Sequence, residues 1–266
     1  MRKKRYIYIF LLSVCLFVFN SCGLDVVYYL QAPQTAHNIP TASTQYDNRY
    51  FEFTTNNSQG NIADDFDFLG TAVYYKIYNN SSTMANNIST LSSLSSSANE
   101  SAAATKLIDG FKYKPLGTSN GTKDPLIGAE SYNQRVYIRL SNYQENVSGE
   151  YKAVIKVRRN SDGAEWEEIG IPLRTGNRYT FDFGRDEDKV LDSLAANKVK
   201  NAVPAEDDSS SIGDVTYSST FSDSDKKLWY VDMYAVAVGQ DNSFTPYYSN
   251  ILHLGSVTID PNEENN

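Results

Sequence analysis

Leu228-Trp229-Tyr230-Val231-Asp232-Met233-Tyr234-Ala235-Val236-Ala237-Val238 decides the fold class. Successive side chains of a strand point to opposite faces. One face would therefore carry Trp229, Val231, Met233, Ala235 and Ala237. The other would carry Leu228, Tyr230, Tyr234, Val236 and Val238. Both are apolar, which places the strand inside a sheet covered on both sides. Asp232 interrupts the second face, and a carboxylate in a covered position requires polar partners.

Strand signals dominate outward from there. Phe66–Tyr78 alternates, with Val73, Tyr75 and Ile77 on one face and Tyr74, Lys76 and Tyr78 on the other. Arg49–Thr55 sets Phe51 and Phe53 against Tyr50 and Glu52; Arg135–Ser141 sets Val136, Ile138 and Leu140 against Tyr137 and Arg139. Period two over such lengths is the mark of a half-buried strand. Asp25–Leu30, ended by Pro33, is a shorter β-forming run, and Val215–Ser219 and Asn250–Ile259 are further strands. Lys152–Arg159 puts Ala153, Ile155 and Val157 inward and runs into the turn signal Asn160-Ser161-Asp162-Gly163. A four-residue loop there sets Arg158 across from Glu165, Val157 across from Trp166 and Lys156 across from Glu167. The same register puts Glu168 opposite inward Ile155, which predicts a bulge near Gly170. With Tyr179, Phe181 and Phe183 inward on a next strand, residues 151–184 form a three-stranded meander.

Two short helices are expected between 79 and 110. Met84, Ile88, Leu91 and Leu94 lie on one helical face. Ser97 and Glu100 fit a capping box for a second helix through Ala102–Ala104, Leu107 and Ile108, with Gly110 as its C′ residue. Arg185–Lys200, acidic at its start and basic at its end, reads as a third helix, followed by an acidic, Ser-rich loop from Pro204 to Asp214.

About eleven short strands with turn residues between them predict a mainly β protein, an antiparallel β-sandwich. Gly70–Tyr78 resembles the third strand of a fibronectin type III or immunoglobulin-like domain, and Trp229–Gly239 with Tyr248–Leu254 resembles its last two strands. The resemblance implies a sandwich built from residues 25–78 and 214–260, interrupted by an α+β insertion over 79–213 that carries the helices and the meander. The rival arrangement is two tandem sandwiches divided near residue 145. A polar tail, 261–266, follows.

The N-terminus reads as an address. Met1-Arg2-Lys3-Lys4-Arg5 is basic, and Tyr6–Phe19 is an apolar run. At 1.5 Å per residue that run makes a helix of about 21 Å, short of a hydrocarbon core of roughly 30 Å. Residues 1–21 are therefore a secretory signal peptide. Ser21-Cys22 resembles the lipobox of bacterial lipoproteins, departing from it at Phe19, where an aliphatic residue is usual. The resemblance implies diacylglycerol on the Cys22 sulfur, cleavage before it and acylation of the new amine, with 22–24 as the lipid anchor. Two acyl chains anchor stably where one holds marginally. Cleavage removes four positive charges and takes the net charge from −8 to −12. The start Cys22–Leu30, the run Gly70–Asn79 and the Asn/Lys/Tyr-rich composition resemble conserved spirochaetal lipoproteins of the treponemal type, a likeness that supports an address and no mechanism.

The acidic balance, 24 basic against 32 acidic residues, excludes a nucleic-acid binder. Two Cys and two His build neither a zinc cluster nor a disulfide framework. Gly117-Thr118-Ser119-Asn120-Gly121 matches a nucleophile elbow, but Pro115 before it and Asp124-Pro125 after it make it a loop. Asp182-Phe183-Gly184 lacks the remaining kinase motifs and is a strand end. Asp64, Asp65 and Asp67, like Asp207 and Asp208, lack calcium-loop spacing and read as solvated turns. His37 and His253 are satisfied or exposed by default. Tyr74, Tyr78 and Tyr137 alternate outward on strands, and Tyr247-Tyr248 lie in a loop, positions at which tyrosine serves recognition when exposed. The expectation is a non-catalytic binding or structural module without cofactor or metal. It is held to a bacterial membrane in the cell envelope through lipidated Cys22, and its ligand, whether a protein, a glycan or neither, is left open. An adhesin, an envelope assembly or transport-accessory subunit and a glycan-active enzyme are the alternatives.

Overall fold

The computed structural model describes residues 29–56, 66–96, 100–120, 125–130, 133–141, 152–161, 163–175, 179–183, 204 and 213–261. The strands are β1 (Thr35–Asn38), β2 (Phe51–Thr54), β3 (Phe66–Tyr78), β4 (Lys114–Pro115), β5 (Gly117–Thr118), β6 (Ile127–Gly128), β7 (Gln134–Arg139), β8 (Val154–Arg159), β9 (Glu167–Gly170), β10 (Pro172–Leu173), β11 (Val215–Thr216), β12 (Trp229–Asp241) and β13 (Pro246–Ile259). Helix α1 spans Ser81–Ser95 and α2 spans Glu100–Thr105.

One sheet runs β1-β2-β7-β8-β9, wholly antiparallel. The other centres on β3-β12-β13. The outer edge of β3 is covered by three two-residue segments, β6 at Gly70-Thr71, β4 at Tyr74-Tyr75 and parallel β11 at Ile77-Tyr78. Gly70 serves this closure: its φ is +135°, and a Cβ there would lie 2.0 Å from the Ile127 carbonyl oxygen.

The two sheets share one apolar core. Phe51, Phe53, Val136, Ile138 and Ile155 come from the first; Val73, Tyr75, Ile77, Val231, Met233 and Val257 come from the second. The reverse face of β3-β12-β13 is roofed by the helices. Tyr74, Tyr78, Tyr230, Tyr234 and Val236 meet Met84, Leu91, Ala103, Ala104 and Leu107 there. The double cover expected of Leu228–Val238 is thus observed, and the alternation of Phe66–Tyr78 sorts its residues between the two cores as predicted. Its second face is not open, however: Tyr74 and Tyr78 are buried beneath helices, which corrects the outward reading of both.

The α1 face is as expected, with Met84 and Leu91 buried and Ile88 and Leu94 packed beside them. Its cap is Asn80, whose side chain accepts from the Ser82 and Thr83 amides at 3.1 Å. The second helix departs from expectation at its end. It widens into a turn over Lys106–Gly110, with the Phe111 amide bonding the Lys106 carbonyl, and the left-handed residue is Lys112 (φ 59°), not Gly110. Ser97, half of the expected capping box, lies outside the described residues, as does the helix expected over 185–200.

The meander consists of β7, β8 and β9. The chain then leaves the sheet, because Pro172-Leu173 pairs with Gly117-Thr118 instead. Phe181 and Phe183 are inward, as read, but belong to no sheet strand. The bulge near Gly170 is present, between Ile155↔Gly170 and Lys156↔Glu168. The hairpin register differs by one residue from the expected one: Val157 faces Glu167, so the loop is longer than four residues. That slip turns Trp166 to the outer face, since one step along a strand changes sides. β7 pairs directly with β2, and β8 and β9 follow it in the sheet, so the segment 79–213 supplies three strands to a sheet that the residues before it begin. Tyr29 and Leu30, the described end of the expected first strand, are not in a strand, and pairing begins at Thr35.

Candidate functional site

The outer face of the five-stranded sheet carries a stack of rings and guanidinium groups. Cross-strand register puts Glu52, Tyr137, Lys156 and Glu168 in one row and Thr54, Arg135 and Arg158 in the next. Tyr50 stacks on Tyr137 with centroids 4.7 Å apart, and the Trp166 ring meets Tyr137 edge-on at 6.0 Å. Arg158 lies 4.6 Å over the Trp166 ring and Arg139 lies 5.5 Å over Tyr50. Arg139, nearly buried, donates to the Tyr137 hydroxyl at 3.0 Å and to the Asp47 carbonyl at 2.8 Å. Arg135 pairs with Glu52 at 2.5 Å. The Nε of Arg158 finds no acceptor among the described residues. His37, 2.7 Å from the Thr54 hydroxyl, is held below the usual imidazole range by burial, then by the Arg135 and Arg158 cations, with Glu52 acting in the opposite sense. Trp166 is 36% exposed at the end of the stack.

A second polar cluster lies under the helices. Asp232 is fully buried on β12 and accepts from the Tyr113 hydroxyl at 2.6 Å; His253 Nε2 lies 2.8 Å from its other oxygen. The chain of bonds continues through the Tyr78 hydroxyl, which donates to Tyr113 at 3.0 Å and accepts from the Asn87 amide at 3.0 Å. A β-bulge delivers His253 to this face. Met233 faces Gly255 while Tyr234 faces His253, so Leu254 is the extra residue and turns into the core between the sheets. Gly255 has φ +108°, and a Cβ there would stand 2.5 Å from the Pro40 carbonyl oxygen. Burial raises the Asp232 carboxyl above its ordinary range, opposed by the bonds from His253 and Tyr113. Lys76, directly across from Asp232 on β3, turns its ammonium to the carbonyls of Gly213 (3.2 Å) and Lys112 (3.4 Å); burial lowers it to about 8.

A third cluster staples distant segments. Arg174 binds Asp214 at 2.7 Å through both Nε and Nη2, and both side chains are buried. The Tyr75 hydroxyl donates to the same carboxylate at 2.7 Å and accepts from the Thr175 amide at 2.8 Å.

Ser119 exchanges hydrogen bonds with Ile171, hydroxyl and amide both, in the turn after β5, which gives it a structural role. Among the described residues no hydrogen bond joins it to His253, which is partnered by Asp232 and partly exposed. Asp182 accepts from the Ser141 hydroxyl at 2.5 Å. Asp67 is exposed. Cys22, Asp64, Asp65, Asp207 and Asp208 lie outside the described residues. Asp214, at the end of the stretch read as an acidic, Ser-rich loop, is fully buried. The partners of Asp232 and the Arg174–Asp214 pair carry no signal in local sequence, since their members are up to 119 residues apart. Among the described residues no group of three His, Cys, Asp or Glu could hold a metal, and no helix is long and apolar enough to cross a membrane. The chain matches no family model, no curated protein and no solved structure.

Proposed function

We propose that this protein is a lipid-anchored envelope protein, lipidated at Cys22, that works as a non-catalytic binding module. The observation that carries the binding role is the outer face of the five-stranded sheet, with Tyr50, Tyr137 and Trp166 laid in contact and the Arg158 guanidinium 4.6 Å over the exposed Trp166 ring. A contiguous Tyr/Trp patch with arginine is the composition of recognition surfaces. It favours the adhesin-like form of the reading over an assembly subunit that docks on the β13 edge: Asn250 ties that edge to the end of α1, and Ser256 on it bonds Pro40. A glycan-active enzyme would need two carboxyls facing each other across a cleft. The three buried aspartates described here, at 182, 214 and 232, sit in separate clusters with partners of their own.

For the fold type, the proposal is a sandwich of the fibronectin or immunoglobulin-like kind. The adjacency of β3, β12 and β13 supports it, being that of the third and last two strands of such domains. Against it, β1 and β2 form one sheet with β7, β8 and β9 in rising chain order, where the corresponding sheet of immunoglobulin domains runs first, second, fifth, fourth.

Fluorescence tests the binding face directly. Trp166 and Trp229 are the two tryptophans, and Trp229 is 2% exposed. Acrylamide should quench one emitting component in the full chain, and Trp166→Phe should remove it. Emission that stays wholly unquenched would mean that the face is covered, and the binding reading falls.

A further inference from the structure

Resting on the lipid-anchored reading, we propose that the hairpin of β12 and β13 docks its tip on the bilayer surface, with the Phe244 ring at the boundary between headgroups and acyl chains.

Among the described residues Phe244 is the most exposed large apolar side chain, at 78%, and its backbone lies in the left-handed region at φ +61°. Phenylalanine rarely adopts that conformation, so the surrounding turn has to hold it there. Asp241 does so. Its carboxylate accepts from the Ser243 and Thr245 amides and from the Tyr247 hydroxyl. Its backbone amide donates to the Thr245 carbonyl, and its carbonyl accepts from the Phe244 amide. The ring is thus presented to solvent on a preorganised turn. Tyr247 stands at the base of the same turn, edge-on to Phe66 at 5.7 Å, with its hydroxyl toward water and Asp241. An apolar body with a polar tip suits the membrane–water interface.

The path of the chain selects lipid as the occupant. Gln34 bonds the carbonyls of Thr54 and Thr55 through its amide and its side chain, so residues 29–34 run past the end of β2. Asn133 bonds Asn56 at that end and leads into β7. Five residues before Asn133, Gly128 pairs with Gly70 near the start of β3, whose first residue, Phe66, faces Asp241 in the hairpin. The edge of β13 gives the same direction: Ala42 bonds Thr258 and Pro40 bonds Ser256, so the chain followed backward moves toward the hairpin tip. Tyr29, 52% exposed, and Phe244 therefore share one end of the sandwich. Seven residues separate Tyr29 from Cys22, and at roughly 3.5 Å each they reach about 25 Å at most. Acyl chains on Cys22 keep this end of the molecule beside the membrane, where one ring at high effective concentration adds a second point of attachment. It fixes how the domain stands on its tether.

Neighbouring charges set the depth and the kind of surface. Asp67 and Glu130 are exposed at this end and Asp241 lies at the base of the turn, against Arg159 at the end of β8. Asn242, Ser243, Thr245 and Pro246 around the ring are exposed and uncharged. A layer of net-neutral headgroups fits, entered by the ring while the carboxylates stay in water.

The test uses the acylated chain in phosphatidylcholine vesicles. Asn242→Cys places a fluorescent dye at the tip. Lys226→Cys places it in the turn before β12, about 40 Å away along that strand. Cys15 leaves with the signal peptide and the Cys22 sulfur is acylated, so no other thiol takes the dye. Nitroxide groups on the lipid acyl chains should quench the tip dye at least twofold more than the dye at 226. Phe244→Gly, which keeps the turn, should cut the tip quenching by at least half, with circular dichroism unchanged. Equal quenching at the two positions, or tip quenching untouched by Phe244→Gly, overturns the proposal. Intact mass separates that failure from failure of the reading beneath it. Acyl groups on Cys22 with an unquenched tip overturn the docking alone, whereas an unmodified Cys22 overturns the anchored reading and the docking with it.

Discussion

His253 Nε2 lies 2.8 Å from the carboxylate of Asp232, and the two stand on neighbouring strands only because a bulge at Leu254 reverses the facing of β13 at that point. Without the extra residue, His253 would enter the core between the sheets and Leu254 would lie against a buried charge. Asp232 holds its place with one imidazole and one phenol as partners, an arrangement with consequences for pH.

Burial raises the Asp232 carboxyl, so the folded chain holds that proton more tightly than the unfolded chain does. Stability from this group therefore falls as pH rises from about 4 through the folded-state value and is flat above it. Asn at 232 keeps an acceptor for Tyr113 and offers a donor to His253 while removing the charge. Asp232→Asn should melt higher than wild type at pH 7 and lose that advantage near pH 4. Melting curves across pH check this; a variant less stable by the same margin at every pH contradicts it.

The bulge depends on Gly255. Alanine there meets the Pro40 carbonyl in a backbone region that side chains rarely adopt. Gly255→Ala should cost about 1–3 kcal/mol in chemical denaturation. It should also shift the His253 ring resonances, while a surface substitution such as Lys226→Ala leaves them in place.

Arg174 and Asp214 form the most deeply buried ion pair described. Breaking such a pair from one side strands a charge, at about 3–5 kcal/mol. Arg174→Ala should lose that much in urea unfolding. Arg174→Met with Asp214→Leu should recover a substantial part, because no lone charge remains. A double variant as unstable as the single one would assign the loss to packing.

Phe244 stands at the tip of the β12–β13 hairpin, 78% exposed, with φ +61°. The Asp241 carboxylate holds the turn by accepting from the Ser243 and Thr245 amides at 2.8 and 2.9 Å. Glycine relieves the backbone strain and loses little burial. Phe244→Gly should raise stability by up to about 1 kcal/mol; a clear loss in thermal melts would show that the exposed ring contributes to the fold.

Periodicity made the strands legible. Trp229–Val238 buried on both faces, the alternation of Phe66–Tyr78 and the Met84–Leu94 helical face all follow from side-chain spacing, a property of neighbours in sequence. What escaped depends on distant partners. Tyr74 and Tyr78 looked outward because nothing in their strand reveals that α1 and α2 lie over it. The burial of Asp214 carried no local signal because its partner Arg174 lies 40 residues away. The slip that turned Trp166 onto Tyr137 is a single residue, and loop length alone does not determine it. Asp232 is the intermediate case: its need for partners was plain from burial, while the identity of Tyr113 and His253 required the bulge and the wide turn after α2.

Anchoring of the module depends on residue 22. Intact-mass and peptide mass spectrometry of the native product should find the chain beginning at Cys22 and carrying a thioether-linked diacylglycerol, with an amide-linked acyl chain on the new amine. A mature chain with an unmodified Cys22 sulfur, or one that retains residues 1–21, contradicts the account.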